Sequence, residues 1–249
     1  MRYWKAISVG IVQGLTEFLP VSSSGHLAIL ARLGIAPTSV FFNLALHLAT
    51  LFAVLVVMRR ELSEMIRHPI KGDGKYVALA CVPTVAIAFL FKKFLPDLLL
   101  GSMLGFGFLL TGTILFLSET FCRERKGVFL GAKVSLWTGV MQGFAVLPGV
   151  SRSGSTIAAL RFFGVDYDRA AKFSFLLALP VIVGGFLLEG IECGFSAEGA
   201  ESGEIVVAAI AAFLSGLIAV RFMLKQTKKG LKPFIPYVCA LGVLCYFLP

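Results

Sequence analysis

Residues 10–34 read GIVQGLTEFLPVSSSGHLAILARLG, and residues 139–163 read GVMQGFAVLPGVSRSGSTIAALRFF. The two stretches align without a gap at an offset of 129. Gly10, Gln13, Gly14, Val21, Ser22, Ser24, Gly25 and Arg32 match Gly139, Gln142, Gly143, Val150, Ser151, Ser153, Gly154 and Arg161. The mismatches carry chemistry: Glu17 faces Val146, Ser23 faces Arg152, and His26 faces Ser155. One copy holds a carboxylate, a hydroxyl and an imidazole where the other holds a guanidinium. That division predicts one composite site built from two halves.

The composition places this repeat in a membrane. The chain is 57% hydrophobic and 15% charged, with a mean hydropathy of +0.88, far from a soluble domain. Long apolar stretches lie near 41–58, 77–94, 98–118, 170–190, 205–224 and 234–248. Each is about long enough, at ~20 residues, to cross a hydrocarbon core, the last one barely. The repeated stretches differ: a moderately apolar run, a Pro, then Ser and Gly, then a short apolar run. Neither half is long enough to cross alone, so each stretch reads as a helix–break–helix that dips in and returns. The expected fold is an all-α integral membrane protein with about six transmembrane helices and two re-entrant helical hairpins. Arg2 and Lys5 before an apolar run resemble a signal peptide, but the internal partner of residues 10–34 makes that segment part of the fold.

Charge sets the expected orientation. Basic clusters follow the first long span (Arg59, Arg60, Arg67, Lys71, Lys75), the third (Arg123, Arg125, Lys126) and the fifth (Lys225, Lys228, Lys229, Lys232). The loop after the fourth carries Glu192, Glu198, Glu201 and Glu204 and no Lys or Arg. The positive-inside rule puts the basic loops in the cytoplasm and the acidic loop outside. Lys92 and Lys93 run against this, and snorkelling accommodates them. Alternating spans then bring the first re-entrant segment in from outside and the second from inside. The halves, about 1–118 and 128–249, are expected to be inverted repeats within a single membrane domain, with their breaks facing near the midplane.

The net charge of +9 is spread over short loops and is no nucleic-acid signal. Cys81, Cys122, Cys193, Cys239 and Cys245 lack ligand spacing and read as small hydrophobes. There is no phosphate-binding P-loop and no dinucleotide fingerprint. The Gly pairs at Gly10/Gly14, Gly139/Gly143 and Gly101/Gly105 read as close helix packing.

The first break carries most of the chemistry. Gln13 and Glu17 are four residues apart and share a helix face. Insertion scales put an intramembrane carboxylate at about 2.5–3.5 kcal/mol, and the matching Val146 shows that packing does not demand one. The bland alternative is a protonated Glu bonded between helices. After Pro20, Ser22, Ser23 and Ser24 are suited to cap the returning helix, whose N–H groups form an anion site at depth. His26 lies in its first turn, as acid, base or donor to a buried carbonyl. The second break offers Ser151, Ser153 and Gly154 at another helix start, plus Arg152, which suits phosphate oxygens or a salt bridge to Glu17 alone. Two helix N-termini, several hydroxyls and an Arg describe a phosphate pocket, and in lipid that points to a phosphate on a lipid tail.

QGLTEFLPVSSSGHL and LPGVSRSGSTIAALRFFG resemble the two signature motifs of the undecaprenyl-diphosphate phosphatase family, and the likeness extends through FSFLLALPVIVGG at 173–185. The resemblance implies a polytopic phosphatase that recycles the lipid carrier of cell-wall synthesis, sits in the cell membrane, and affects bacitracin sensitivity. It implies functional roles for Gln13 and Glu17, Ser23, His26 and Arg152. The better-known members carry Glu at the first of these positions, so Gln13 leaves Glu17 as the single strong oxygen ligand for a divalent cation, Mg²⁺ or Ca²⁺. Ser23 is then the candidate nucleophile, with His26 as its base or as acid to the leaving group. Arg152, Ser22, Ser24, Ser151, Ser153, Gly154 and Gln13 would bind phosphate. The expected partners are a polyprenyl diphosphate and the bilayer, with a homodimer left open. The competing reading is a transporter or lipid-phosphate flippase, which would use the same inverted architecture.

Overall fold

The computed structural model describes residues 2–37, 39–69, 72–100, 103–122, 130–195 and 201–248. The described residues are helical throughout, and their order is set by prolines, serine caps and apolar runs. The first matching stretch forms α1 (Tyr3–Phe18) and α2 (Ser23–Arg32). Then come α3 (Val40–Val57), α4 (Arg59–Arg67), α5 (Gly74–Phe94), α6 (Pro96–Leu99) and α7 (Leu104–Phe121). The second matching stretch forms α8 (Ala132–Phe144) and α9 (Arg152–Phe162), followed by α10 (Tyr167–Glu192), α11 (Ser202–Gln226) and α12 (Phe234–Leu244).

Both breaks have local causes. Leu19 is extended, with φ −72° and ψ 149°, as the residue before a proline tends to be. Ser22 then caps α2, its side chain accepting from Gly25 N. Ser151 caps α9 in the same way, accepting from Gly154 N. Gly149 at φ +90° makes the second turn. The first turn instead uses Ser22 at φ +66°, a strained position for a residue with a Cβ, costing of order 1–3 kcal/mol.

Among the described residues, five helices are long and apolar enough to cross a membrane: α3, α5, α7, α10 and α11. They coincide with five of the six expected spans. The sixth, expected over 234–248, is the 11-residue α12, about 16 Å long at 1.5 Å per residue. That is half a hydrocarbon core; hydropathy measures an apolar run and not where its backbone leaves the helix. The stretch expected at 98–118 is helical from Leu104 to Phe121. Arg59–Arg67, read as part of a basic loop, is the charged helix α4. Lys71, Arg123, Arg125, Lys126, Glu198 and Gly101 lie outside the described residues.

Packing crosses between the halves. α1 lies chiefly against α11, and α8 chiefly against α5. The Gly pairs permit both contacts. A Cβ on Gly10 would lie 2.2 Å from Ala208 O, and one on Gly14 2.3 Å from Ala212 O. On the other side, a Cβ on Gly139 would lie 2.0 Å from Ala80 O, and one on Gly143 2.7 Å from Ile87 Cβ. The close-packing reading of these pairs therefore holds. Lys5 Nζ donates to Gly34 O at 2.9 Å, so the two ends of the first hairpin meet. Tyr3 stands beside Gly203 at the start of α11, while Ser135 at the start of α8 bonds Tyr76 O at the start of α5. Lys92 and Glu192 pair at the far ends of α5 and α10. Large apolar side chains such as Phe89, Leu188 and Ile218 cover the outside of the bundle, where a lipid solvent would meet them. Inside, Phe18 meets Phe175 edge-on at 5.4 Å, tying α1 to α10.

Candidate active site

The fold brings the two breaks into contact. A Cβ on Gly25 would lie 3.1 Å from Gly149 Cα, and one on Gly154 3.3 Å from Pro20 Cβ. Ser153 Oγ donates to Leu19 O at 2.9 Å, bonding the second break to the first. The turn around Gly149 is held by Thr111, whose Oγ1 donates to Gly149 O at 2.8 Å and accepts from Ser151 N at 2.9 Å.

Glu17 is the centre of the resulting cluster. It is buried on α1, its side chain 1% exposed. Arg152, the first residue of α9, pairs with Oε1. Ser23, the first residue of α2, donates its hydroxyl to Oε2 at 2.6 Å. Gln13, one turn back on α1, donates Nε2 to the same oxygen at 2.8 Å. Each group reaches Glu17 from a helix end or the adjacent turn, so the spacing of the two breaks defines the geometry. A carboxylate with an Arg partner and hydrogen bonds from Ser23 and Gln13 is the form of buried charge that a low-dielectric site tolerates.

The fourth neighbour was not foreseen. His47, in the middle of α3, places Nδ1 3.1 Å from Glu17 Oε2 and 3.0 Å from Gln13 Nε2. An imidazole inside an apolar span is by default a functional candidate, and that signal was available in the sequence. It went unused because the comparison of the halves stopped at the breaks. Continued at the same offset, it sets His47 against Leu176.

The remaining candidates sit apart from Glu17 or serve the turns. His26 Nδ1 donates to Ser22 O at 2.7 Å, and Nε2 accepts from Tyr237 OH at 2.7 Å. Its ring stacks on Tyr237 and meets Phe108 edge-on. Tyr237 gives no signal in the sequence, since it arrives from the remote α12. Ser22 and Ser151 are engaged as caps. Ser24 is exposed and lines a cavity of about 220 Å³ with Asn43, His47, Pro148 and the apolar Leu27, Leu99 and Leu100. This cavity touches the two breaks at Ser24 and Pro148 and combines the polar Ser24, Asn43 and His47 with apolar lining, which suits a phosphate attached to a hydrocarbon.

Among the described residues no three His, Cys, Asp or Glu side chains converge on a metal site. The donors fit a divalent cation in one way. Among the described residues Glu17 is the single carboxylate of the cluster, and Gln13 Oε1 is a buried oxygen with no hydrogen-bond partner. Mg²⁺ is commonly held by one or two carboxylates together with substrate phosphates. The site therefore suits a cation that shares its ligands with a bound diphosphate.

A multi-pass helical membrane protein with a buried Arg–Glu–Ser cluster where two broken helices meet is the class that fold and site define. A family model described as bacitracin resistance protein BacA matches residues 6–244, and the chain belongs to that family. It is 40% identical to an undecaprenyl-diphosphatase of Carboxydothermus hydrogenoformans, covering 98% of this chain and 96% of the relative. It is 36% identical to undecaprenyl-diphosphatase 3 of Bacillus cereus, covering 100% and 98%. It is also 36% identical to an undecaprenyl-diphosphatase of Methanococcus vannielii, covering 96% of each chain.

Proposed function

We propose that the protein is an undecaprenyl-diphosphatase: it hydrolyses the lipid diphosphate to the monophosphate and inorganic phosphate, recycling the carrier for cell-envelope synthesis. The observation that carries the reading is the Arg152–Glu17–Ser23 cluster, assembled from two helix starts beside a cavity with polar and apolar lining. The architecture proposed with it is a pair of inverted repeats in the cell membrane, with the site open to the outer side. Two contacts support this: the first hairpin meets the start of α11, the second the start of α5.

The chemistry follows from the donors. The diphosphate takes Arg152 and the N–H groups at the starts of α2 and α9, which stabilise charge spread over the equatorial phosphate oxygens. Glu17 accepts the Ser23 proton already, so it orients that hydroxyl for attack on the terminal phosphorus. As the Ser23 Oγ–P bond forms, the Ser23 proton passes to Glu17 Oε2, the bond from phosphorus to the lipid phosphate oxygen breaks, and the monophosphate leaves with its electron pair. Water then releases inorganic phosphate and restores the hydroxyl. Direct attack by a water held at Glu17 uses the same groups. His26, whose Nδ1–H is held by Ser22 O, presents an Nε2 lone pair that is placed to take up a proton as a base once Tyr237 yields its bond. A divalent cation would be held by Glu17, Gln13 Oε1 and phosphate oxygens, supplying Lewis-acid charge. The test is phosphate release from a polyprenyl diphosphate by the purified protein, with Arg152→Ala and Glu17→Gln as controls.

A further inference from the structure

We propose that His47 is a positioning residue of this site, acting through Gln13. The inference rests on the phosphatase reading and adds a residue that the break motifs do not contain.

Three observations carry it. The first is hydrogen-bond arithmetic. A carboxamide has two N–H donors and one oxygen. Gln13 Nε2 lies 2.8 Å from Glu17 Oε2 and 3.0 Å from His47 Nδ1. Where the His47 ring is neutral, Nδ1 accepts the second Gln13 proton, so both protons are spoken for and the amide cannot turn over without losing two bonds; where the ring is charged, Nδ1–H pairs with Glu17 Oε2 at 3.1 Å instead. With both protons held, Gln13 Oε1, which has no partner among the described residues, is fixed in one orientation. The second is placement. His47 belongs both to the Glu17 cluster and to the lining of the 220 Å³ cavity, with its side chain 27% exposed. It joins the ligand space to the buried carboxylate. The third is the internal comparison. The matching position holds Leu176, so a leucine suits this place in the fold, and packing alone does not call for an imidazole.

The role matters because this chain carries a neutral Gln13. A carboxylate there would be an acceptor only and would repel Glu17. A carboxamide holds Glu17 by donation, provided that something fixes which end faces it. His47 supplies that constraint. Partners of this kind, one bond removed from the reacting groups, typically contribute about 10–100-fold in activity.

The experiment is a double-mutant cycle on the purified protein in detergent, reading phosphate release from a short polyprenyl diphosphate. The variants are His47→Leu, Gln13→Ala and the double, with His47→Gln as the conservative replacement and a thermal melt of each. His47→Leu is expected to lose about 10–100-fold with its melt within a few degrees of wild type. His47→Gln, whose side-chain oxygen can accept the Gln13 proton, is expected to recover most of that loss. The double variant is expected to match the worse single within about threefold, as for groups acting as a unit. The proposal is overturned if the two single losses multiply, if His47→Leu stays within threefold of wild type, or if its loss is matched by a loss of folded protein. Wild-type protein that releases no phosphate overturns the phosphatase reading itself, a result distinct from all three.

Discussion

Arg152 and Glu17 divide the work of holding an anion inside a membrane. In the proposed reaction Arg152 supplies positive charge at the start of α9, and Glu17, its ion-pair partner, keeps that charge ordered for the incoming phosphate. Arg152→Ala is expected to cost about 10²–10³ in the rate of phosphate release, by analogy with loss of one preorganised donor. Folded protein with activity within threefold of wild type would remove Arg152 from the site. Glu17→Gln is expected to abolish most activity, because it removes the carboxylate that Arg152, Ser23 and Gln13 share. Gln13→Glu is expected to leave an active protein whose rate depends more steeply on Mg²⁺, since it adds a second hard oxygen ligand. A metal titration of both variants checks the pair; full activity in Glu17→Gln with none in Gln13→Glu would reverse the assignment. At this scale Glu17, Ser23 and Arg152 were legible, because two copies of one scaffold differ at those positions and apolar packing explains none of the three. His47 and Tyr237 were not read. The first lies in a span outside the compared segments, and the second meets His26 across 211 positions of sequence, a separation that no local pattern encodes.

The elements are joined by backbone approaching backbone. Adding a methyl group to Gly139 puts it 2.0 Å from Ala80 O, so Gly139→Ala must push α8 off α5. Overpacking of this kind costs about 1–3 kcal/mol, more than the ~1 kcal/mol that Ala gains over Gly in a helix. Gly184, inside α10, has nothing within 4 Å of its added Cβ. Gly184→Ala is therefore expected to raise the melting temperature in detergent and Gly139→Ala to lower it. Shifts of the same sign would contradict the packing account. The broken helices were legible because proline and serine act locally: Pro20 follows the extended Leu19 that ends α1, and Ser22 and Ser151 start the next helices. α4 was not. Its residues are mostly charged, and charge reads as a loop until an amphipathic face finds a surface. The length of α12 was misjudged for the opposite reason, since an apolar run continues past the end of its helix.

At the scale of the molecule, the proposed architecture is two halves inserted in opposite directions, with half a site from each meeting in the bilayer. Orientation follows from loop charge. In a cysteine-free background, Glu201→Cys at the start of α11 is expected to react with a membrane-impermeant thiol reagent added to intact cells, and Lys75→Cys at the start of α5 to stay unreacted. The reverse pattern would turn the molecule over and open the site to the cytoplasm. The central claim is the reaction. It is tested most directly by incubating the purified protein with undecaprenyl diphosphate and counting inorganic phosphate against lipid monophosphate formed. The account predicts one phosphate released per monophosphate, at a rate that falls at least a hundredfold (~10²,) in Arg152→Ala and is nearly lost in Glu17→Gln. Phosphate release no greater than in the Glu17→Gln variant would contradict it.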